Sequence, residues 1–223
     1  ISAADFDGDG DIDVVSGCVG DGKILLYEND GSQAFTQQLI HTNWGVSSLH
    51  SVDLDKDGDM DVLSGTFYDN IWWYDNDGSG GFTIHSISTD VDNATSVYAA
   101  DIDRDGDLDV LSSSYADDKI AWYENDGTQG FTQQIISTTA NGARAVHAAD
   151  MDGDGDIDVL SASDQVNDDK IAWYKQEGSP VIFQPINNEE LKTAVSLLYS
   201  DNPSDNATAL ATYGEINTWD VSL

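Results

Sequence analysis

Over the first 186 positions the apolar residues come in short alternating runs, not at helical spacing. In the third stretch the runs 96–102, 108–113, 119–124 and 131–137 alternate apolar with polar side chains. Their apolar places favour β-branched and aromatic residues, the pattern of half-buried strands. Asn125-Asp126-Gly127 separates the last two runs and predicts a hairpin, because these residue types tolerate the left-handed backbone of a tight turn. Asn29-Asp30-Gly31 and Asn76-Asp77-Gly78 repeat it, whereas the fourth stretch carries Gln176-Glu177-Gly178 and lacks the signal. Beyond 186 the pattern changes. Asn187 and Glu190 form a start like a capping box, and Leu191, Ala194, Val195 and Leu198 follow helical spacing. Asn202-Pro203-Ser204-Asp205 then breaks the run.

Between the first two strands of each stretch lies a nine-residue ladder with Asp at every odd place, Gly at the sixth, and apolar residues at the second and eighth. Its four copies are Asp5, Asp7, Asp9, Asp11, Asp13; Asp53, Asp55, Asp57, Asp59, Asp61; Asp101, Asp103, Asp105, Asp107, Asp109; and Asp150, Asp152, Asp154, Asp156, Asp158. They recur at intervals of 48, 48 and 49 residues, a period that signals a propeller or solenoid. Four short antiparallel strands per unit favour propeller blades. The expected fold is all-β, with blades at about 1–46, 47–94, 95–143 and 144–186 and a short helical segment over 187–223. Four blades would close as a small propeller or form an open arc of a larger one.

Five carboxylates this close repel one another unless a cation sits among them. Oxygen-only ligands on a Gly-hinged loop suit a hard cation with many ligands, calcium before magnesium, while zinc and copper would want His or Cys. About four Ca²⁺ ions, one per repeat, are expected. An EF-hand would need Glu at the twelfth place and flanking helices. Here Ser16, Ser64, Ser112 and Ser161 stand there, followed by strand-forming sequence. By analogy with other Asp-x-Asp loops, the first, third, fifth and ninth side chains would bind the ion and the seventh residue its carbonyl. Gly10, Gly58, Gly106 and Gly155 would supply a positive φ.

Ile71/Trp73, Ile120/Trp122 and Ile171/Trp173 share one strand face, and Ile24/Leu26 replace them in the first unit. That replacement favours packing between blades over a sugar-stacking platform. His50, Tyr98 and His147 each stand three places before a ladder, and ordinary strand positions are expected for them instead of a histidine metal cluster. The formal charge is −34, from 42 acidic and 8 basic residues. Such a chain lacks the basic face that nucleic acid requires and is repelled by anionic membranes. No stretch reaches the ~20 apolar residues of a membrane span. Cys18 is the single cysteine, so no intramolecular disulfide forms.

The four ladders, with the Trp-Tyr-x-Asn-Asp-Gly and Gly-Phe-Thr elements behind them, resemble the FG-GAP/VCBS repeat, the calcium-bearing blade of integrin-like propellers. Residues 190–195 with 213–222 resemble the opening of the BspA-type surface-repeat family, which implies one piece of a larger surface protein. These resemblances imply a calcium-binding, non-enzymatic adhesion or recognition module, secreted or on the cell surface, with a glycan or protein ligand. Open blade edges would allow self-association. Some polysaccharide lyases use similar propellers, and a purely structural spacer is a third reading. A lyase would need a base beside a charge-neutralising Arg or Lys. The few basic residues do not form such a cluster, since Lys56 and Arg104 sit inside ladders and Lys23, Lys119 and Lys170 recur at one repeat position.

Overall fold

A computed structural model describes residues 1–32, 34–165 and 170–177 and the backbone of 183–186. The expected C-terminal helix and the surface-repeat resemblance lie outside the described residues. Within them the chain folds into four antiparallel sheets, each of four strands in sequence order. The first contains β1 (Ser2–Ala4), β2 (Asp13–Gly17), β3 (Lys23–Asn29) and β4 (Phe35–Thr42). The second contains β5 (Val46–Val52), β6 (Asp61–Thr66), β7 (Ile71–Asn76) and β8 (Phe82–Ser88). The third contains β9 (Ala94–Ala100), β10 (Asp109–Ser114), β11 (Lys119–Asn125) and β12 (Phe131–Ser137). The fourth contains β13 (Ala143–Ala149), β14 (Asp158–Ser163), β15 (Lys170–Gln176) and β16 (Phe183–Ile186). These are sheets that resemble propeller blades.

The first strand of the third unit ends at Ala100, where the alternation alone carries it to 102. The reason is local: the Ile102 amide donates to the Asp109 carboxylate at 2.9 Å instead of to a neighbouring strand. A bulge recurs at one place near the start of the third strand, at Ile24/Leu25, Ile71/Trp72 and Ile120/Ala121. The first three repeats therefore match in backbone detail as well as in length.

No sheet buries enough on its own, and the core consists of three layers between successive sheets. Val15, Ile24 and Leu26 meet Val46, Val62 and Tyr74 in the first layer. Leu63, Ile71 and Trp73 meet Ala94, Val97 and Tyr123 in the second. Leu111, Ile120 and Trp122 meet Ala143, Val146 and Tyr174 in the third. The Ile/Trp face is thus inter-blade packing. Ile24, Ile71 and Ile120 are fully buried, while their counterpart Ile171 on the last sheet is 48% exposed. Hydroxyls clasp adjacent inner strands as well. Ser47 Oγ donates to the Ala94 carbonyl, and Thr95 Oγ1 repeats the contact one blade on, to Ala143 O at 2.7 Å.

Candidate metal centre

Every ladder joins the first and second strands of its sheet and returns on itself through Asx turns. In the third copy the Asp105 amide donates to Asp103 Oδ1 at 3.1 Å and the Asp107 amide to Asp105 Oδ1 at 2.8 Å. Gly106 takes φ +102°, as do its counterparts with φ near +90° to +104°, a conformation that strains any residue with a Cβ. The ladder is therefore a rigid curl of carboxylates.

The ninth Asp is the buried post of that curl. Asp13, Asp61, Asp109 and Asp158 have no exposed surface. Both oxygens of Asp109 accept backbone amides, from Ile102 at 2.9 Å and from Asn125 at 2.8 Å. Asp13 holds Phe6 and Asn29 in the same way, Asp61 holds Leu54 and Asn76, and Asp158 holds Met151 and Gln176. Burial pushes Asp61, Asp109 and Asp158 up to about 7, against the lowering effect of these amides. A cation beside a buried carboxylate opposes such a rise.

The outer hairpin is the part of the centre that the motif alone does not reveal. The Asn125 side chain donates to the Leu108 carbonyl at 3.0 Å and accepts from the Gly127 amide at 3.1 Å. Asn29 and Asn76 repeat both bonds. The seventh carboxylate, Asp11, Asp59 or Asp107, lies where a Cβ on the turn glycine would stand. Hairpin and ladder are thus one unit in the first three blades, and the clue in the sequence is the near-constant interval of 16, 15 and 16 residues between the ninth Asp and the Asn of the turn. The serines at the twelfth place lie on strands: Ser64, Ser112 and Ser161 pair with Tyr74, Tyr123 and Tyr174 hydroxyls at 3.3–3.5 Å.

Carboxylate oxygens gather within 4.8 Å of one another at Asp5/Asp7/Asp13, Asp53/Asp55/Asp57, Asp101/Asp103/Asp109 and Asp150/Asp152/Asp158. The first and third places recur in every cluster, the ninth in three and the fifth in one. The seventh appears in none, in keeping with a carbonyl role there. Asp55 and Asp103 are raised from the ordinary carboxylate value by burial first and by neighbouring carboxylates, among them Asp75 and Glu124 of the third strands.

Oδ1 of Asp5, Asp53 and Asp101 is buried without a hydrogen-bond partner, while Oδ2 of Asp5 and Asp53 accepts the amide of the loop glycine at 3.0–3.1 Å. An orphaned anionic oxygen facing other carboxylates is costly, and a hard cation satisfies it. The donor set of the first three loops fits calcium. The fourth loop differs, because both Asp150 oxygens accept amides, from Gly153 at 2.7 Å and Gly155 at 3.1 Å.

The histidines flanking the ladders, half-buried His50 and exposed His147, contact an aromatic ring. Tyr98 lies between His50 and His147, with ring centroids 4.8 and 4.5 Å away. The candidate metal clusters among the described residues contain carboxylates alone.

Residues 5–64, 53–112 and 103–161 each match the FG-GAP-like repeat. No curated protein matches the chain. Among solved structures, BBS1N in complex with ARL6DN, soaked with lead, is similar at a TM-score of 0.56 and 12% identity, over 84% of this chain and 56% of the other. The same complex soaked with mercury gives 0.53 and 10%, over 83% and 52%. The chain thus spans about half the length of these relatives in fold, and at such identity the likeness concerns the fold alone.

Proposed function

The chain belongs to the FG-GAP-like repeat family, and from that premise we propose that it is a calcium-binding, non-enzymatic recognition or adhesion module that works outside the cell or on its surface. The observation that carries the reading is the buried, unpartnered Oδ1 of Asp5, Asp53 and Asp101, each set among carboxylates on a loop with no soft ligand. In the first three loops the first, third, fifth and ninth carboxylates would hold the ion. Its chemistry there is charge neutralisation, which locks ladder to hairpin and stiffens the blade. Extracellular calcium is abundant enough for loops of this kind.

The ladders and the outer hairpins occupy one end of the strands, which leaves the opposite rim for a ligand. There Trp44 is 60% exposed and Tyr68 64% exposed. Their loops are joined by the Phe67 amide donating to the Gly45 carbonyl at 2.8 Å. Aromatic faces presented on loops over a rigid sheet suit a glycan or a protein surface. Ion pairs at Lys23, Arg104, Lys119, Arg144 and Lys175 support a non-enzymatic reading over a lyase, which would need a cation turned toward its anionic substrate.

A glycan and protein array read with calcium and with chelator tests the proposal. Calcium-dependent binding that Trp44→Ala and Tyr68→Ala abolish supports it. Turnover of a uronic-acid polymer by the purified chain would overturn it in favour of the enzyme.

A further inference from the structure

Three of the four loops invite a cation, whereas the fourth already holds one belonging to the protein. Lys175, on β15, is only 6% exposed. Its Nζ lies 2.6 Å from Asp152 Oδ2 and 3.3 Å from Asp154 Oδ2, the third and fifth carboxylates of the ladder. The register shows what this position is elsewhere. Tyr27, Tyr74, Tyr123 and Tyr174 pair with Val14, Val62, Val110 and Val159 respectively. The residue after each tyrosine is Glu28, Asp75, Glu124 and then Lys175. Three blades carry a carboxylate at this register position, from which Asp75 and Glu124 act on their ladders, and the fourth reverses its sign.

Two further contacts relieve part of the remaining charge and unmet hydrogen bonding. Arg104 reaches across from the third ladder, donating to the Gly155 carbonyl at 3.1 Å and pairing with Asp156. Asp150 has both oxygens capped by amides, whereas its three counterparts keep one orphaned oxygen. Among the described residues, no ion pair falls on the carboxylates of the first three ladders.

We infer that the fourth blade is a calcium-independent member of the array, in which the Lys175 ammonium stands where the other blades take a divalent ion, so the chain binds three calcium ions. An ammonium offers three donors on a flexible stem and fits a cage of carboxylate oxygens as a point charge. Calcium could enter only by expelling that buried charge from its partners, which is strongly unfavourable.

The inference rests on the calcium reading, and one experiment separates the two. Chelator-stripped full chain is titrated with calcium and the bound ions are counted by native mass spectrometry and calorimetry. Three ions are expected, with any fourth at least on the order of 100-fold weaker. Lys175→Glu, which restores the acid of the other blades, should give four, and Glu124→Lys in the third blade should give two. Lys175→Met should melt lower in chelator and recover with calcium. No bound calcium in the natural chain would overturn the calcium reading itself. Four ions of similar affinity would overturn the Lys175 inference alone. So would three ions in a calcium-folded Lys175→Glu variant. Where Lys175→Glu fails to fold, an unchanged ion count in Glu124→Lys overturns the inference instead.

Discussion

Asp101 and Asp109 carry the same side chain in one loop and do different work. Asp101 keeps a buried oxygen with no partner. Asp109 uses both oxygens on amides of two separate segments. Asp101→Asn should therefore lose one bound calcium while leaving the stability in chelator unchanged or slightly raised, because it removes a repelling charge. Asp109→Asn turns an amide NH₂ toward a backbone N–H and should cost about 1–3 kcal/mol in chelator as well. Urea unfolding of both variants, with and without calcium, distinguishes them. Equal losses in chelator would mean that the two carboxylates share one role. The residue types and their spacing were legible in the sequence. The division of labour was not, because it depends on the Asn125 amide, which the hairpin brings across the sheet to Asp109.

At the scale of the element, the ladder and the outer hairpin behave as one part. Gly127 has φ +69°, and a Cβ there would run into the Asp107 carboxylate. Gly127→Ala should cost about 1–3 kcal/mol from backbone strain and that collision, and should weaken calcium at the third loop without altering the first two. Thermal melts combined with ion counting check both halves. Alternation and turn residues revealed four strands per repeat because both signals are local. The end of the first strand in the third unit moved from 102 back to Ala100, where the ladder claims the Ile102 amide. The fourth hairpin is the instructive case. Its missing Asn-Asp-Gly was visible as a departure, yet only the contacts of the Lys175 ammonium with Asp152 and Asp154 show that this residue, next to Tyr174 in the strand, points at a ladder.

For the whole molecule, stability comes from inter-sheet layers, with no disulfide to help, and on the proposed calcium reading also from neutralising charge. Trp73 is 1% exposed in the layer between the second and third sheets. Trp73→Ala should destabilise by about 3–5 kcal/mol as a cavity, with no separate effect on ligand affinity in the molecules that remain folded. A sugar platform would show the reverse. With a formal charge of −34, the calcium-free chain is held apart by its own field. Monovalent salt screens part of that repulsion but cannot fill the orphaned oxygens. The most direct measurement is calorimetric calcium titration of the chelator-stripped chain, with a melting curve before and after. At calcium about 100-fold above Kd, three sites would add about 8 kcal/mol and raise the melting temperature by roughly 15–30 °C. Absence of binding, or binding that leaves the melt where it was, would mean that the ladders are acidic turns held by their own amide hydrogen bonds and not calcium sites that stabilise the blades.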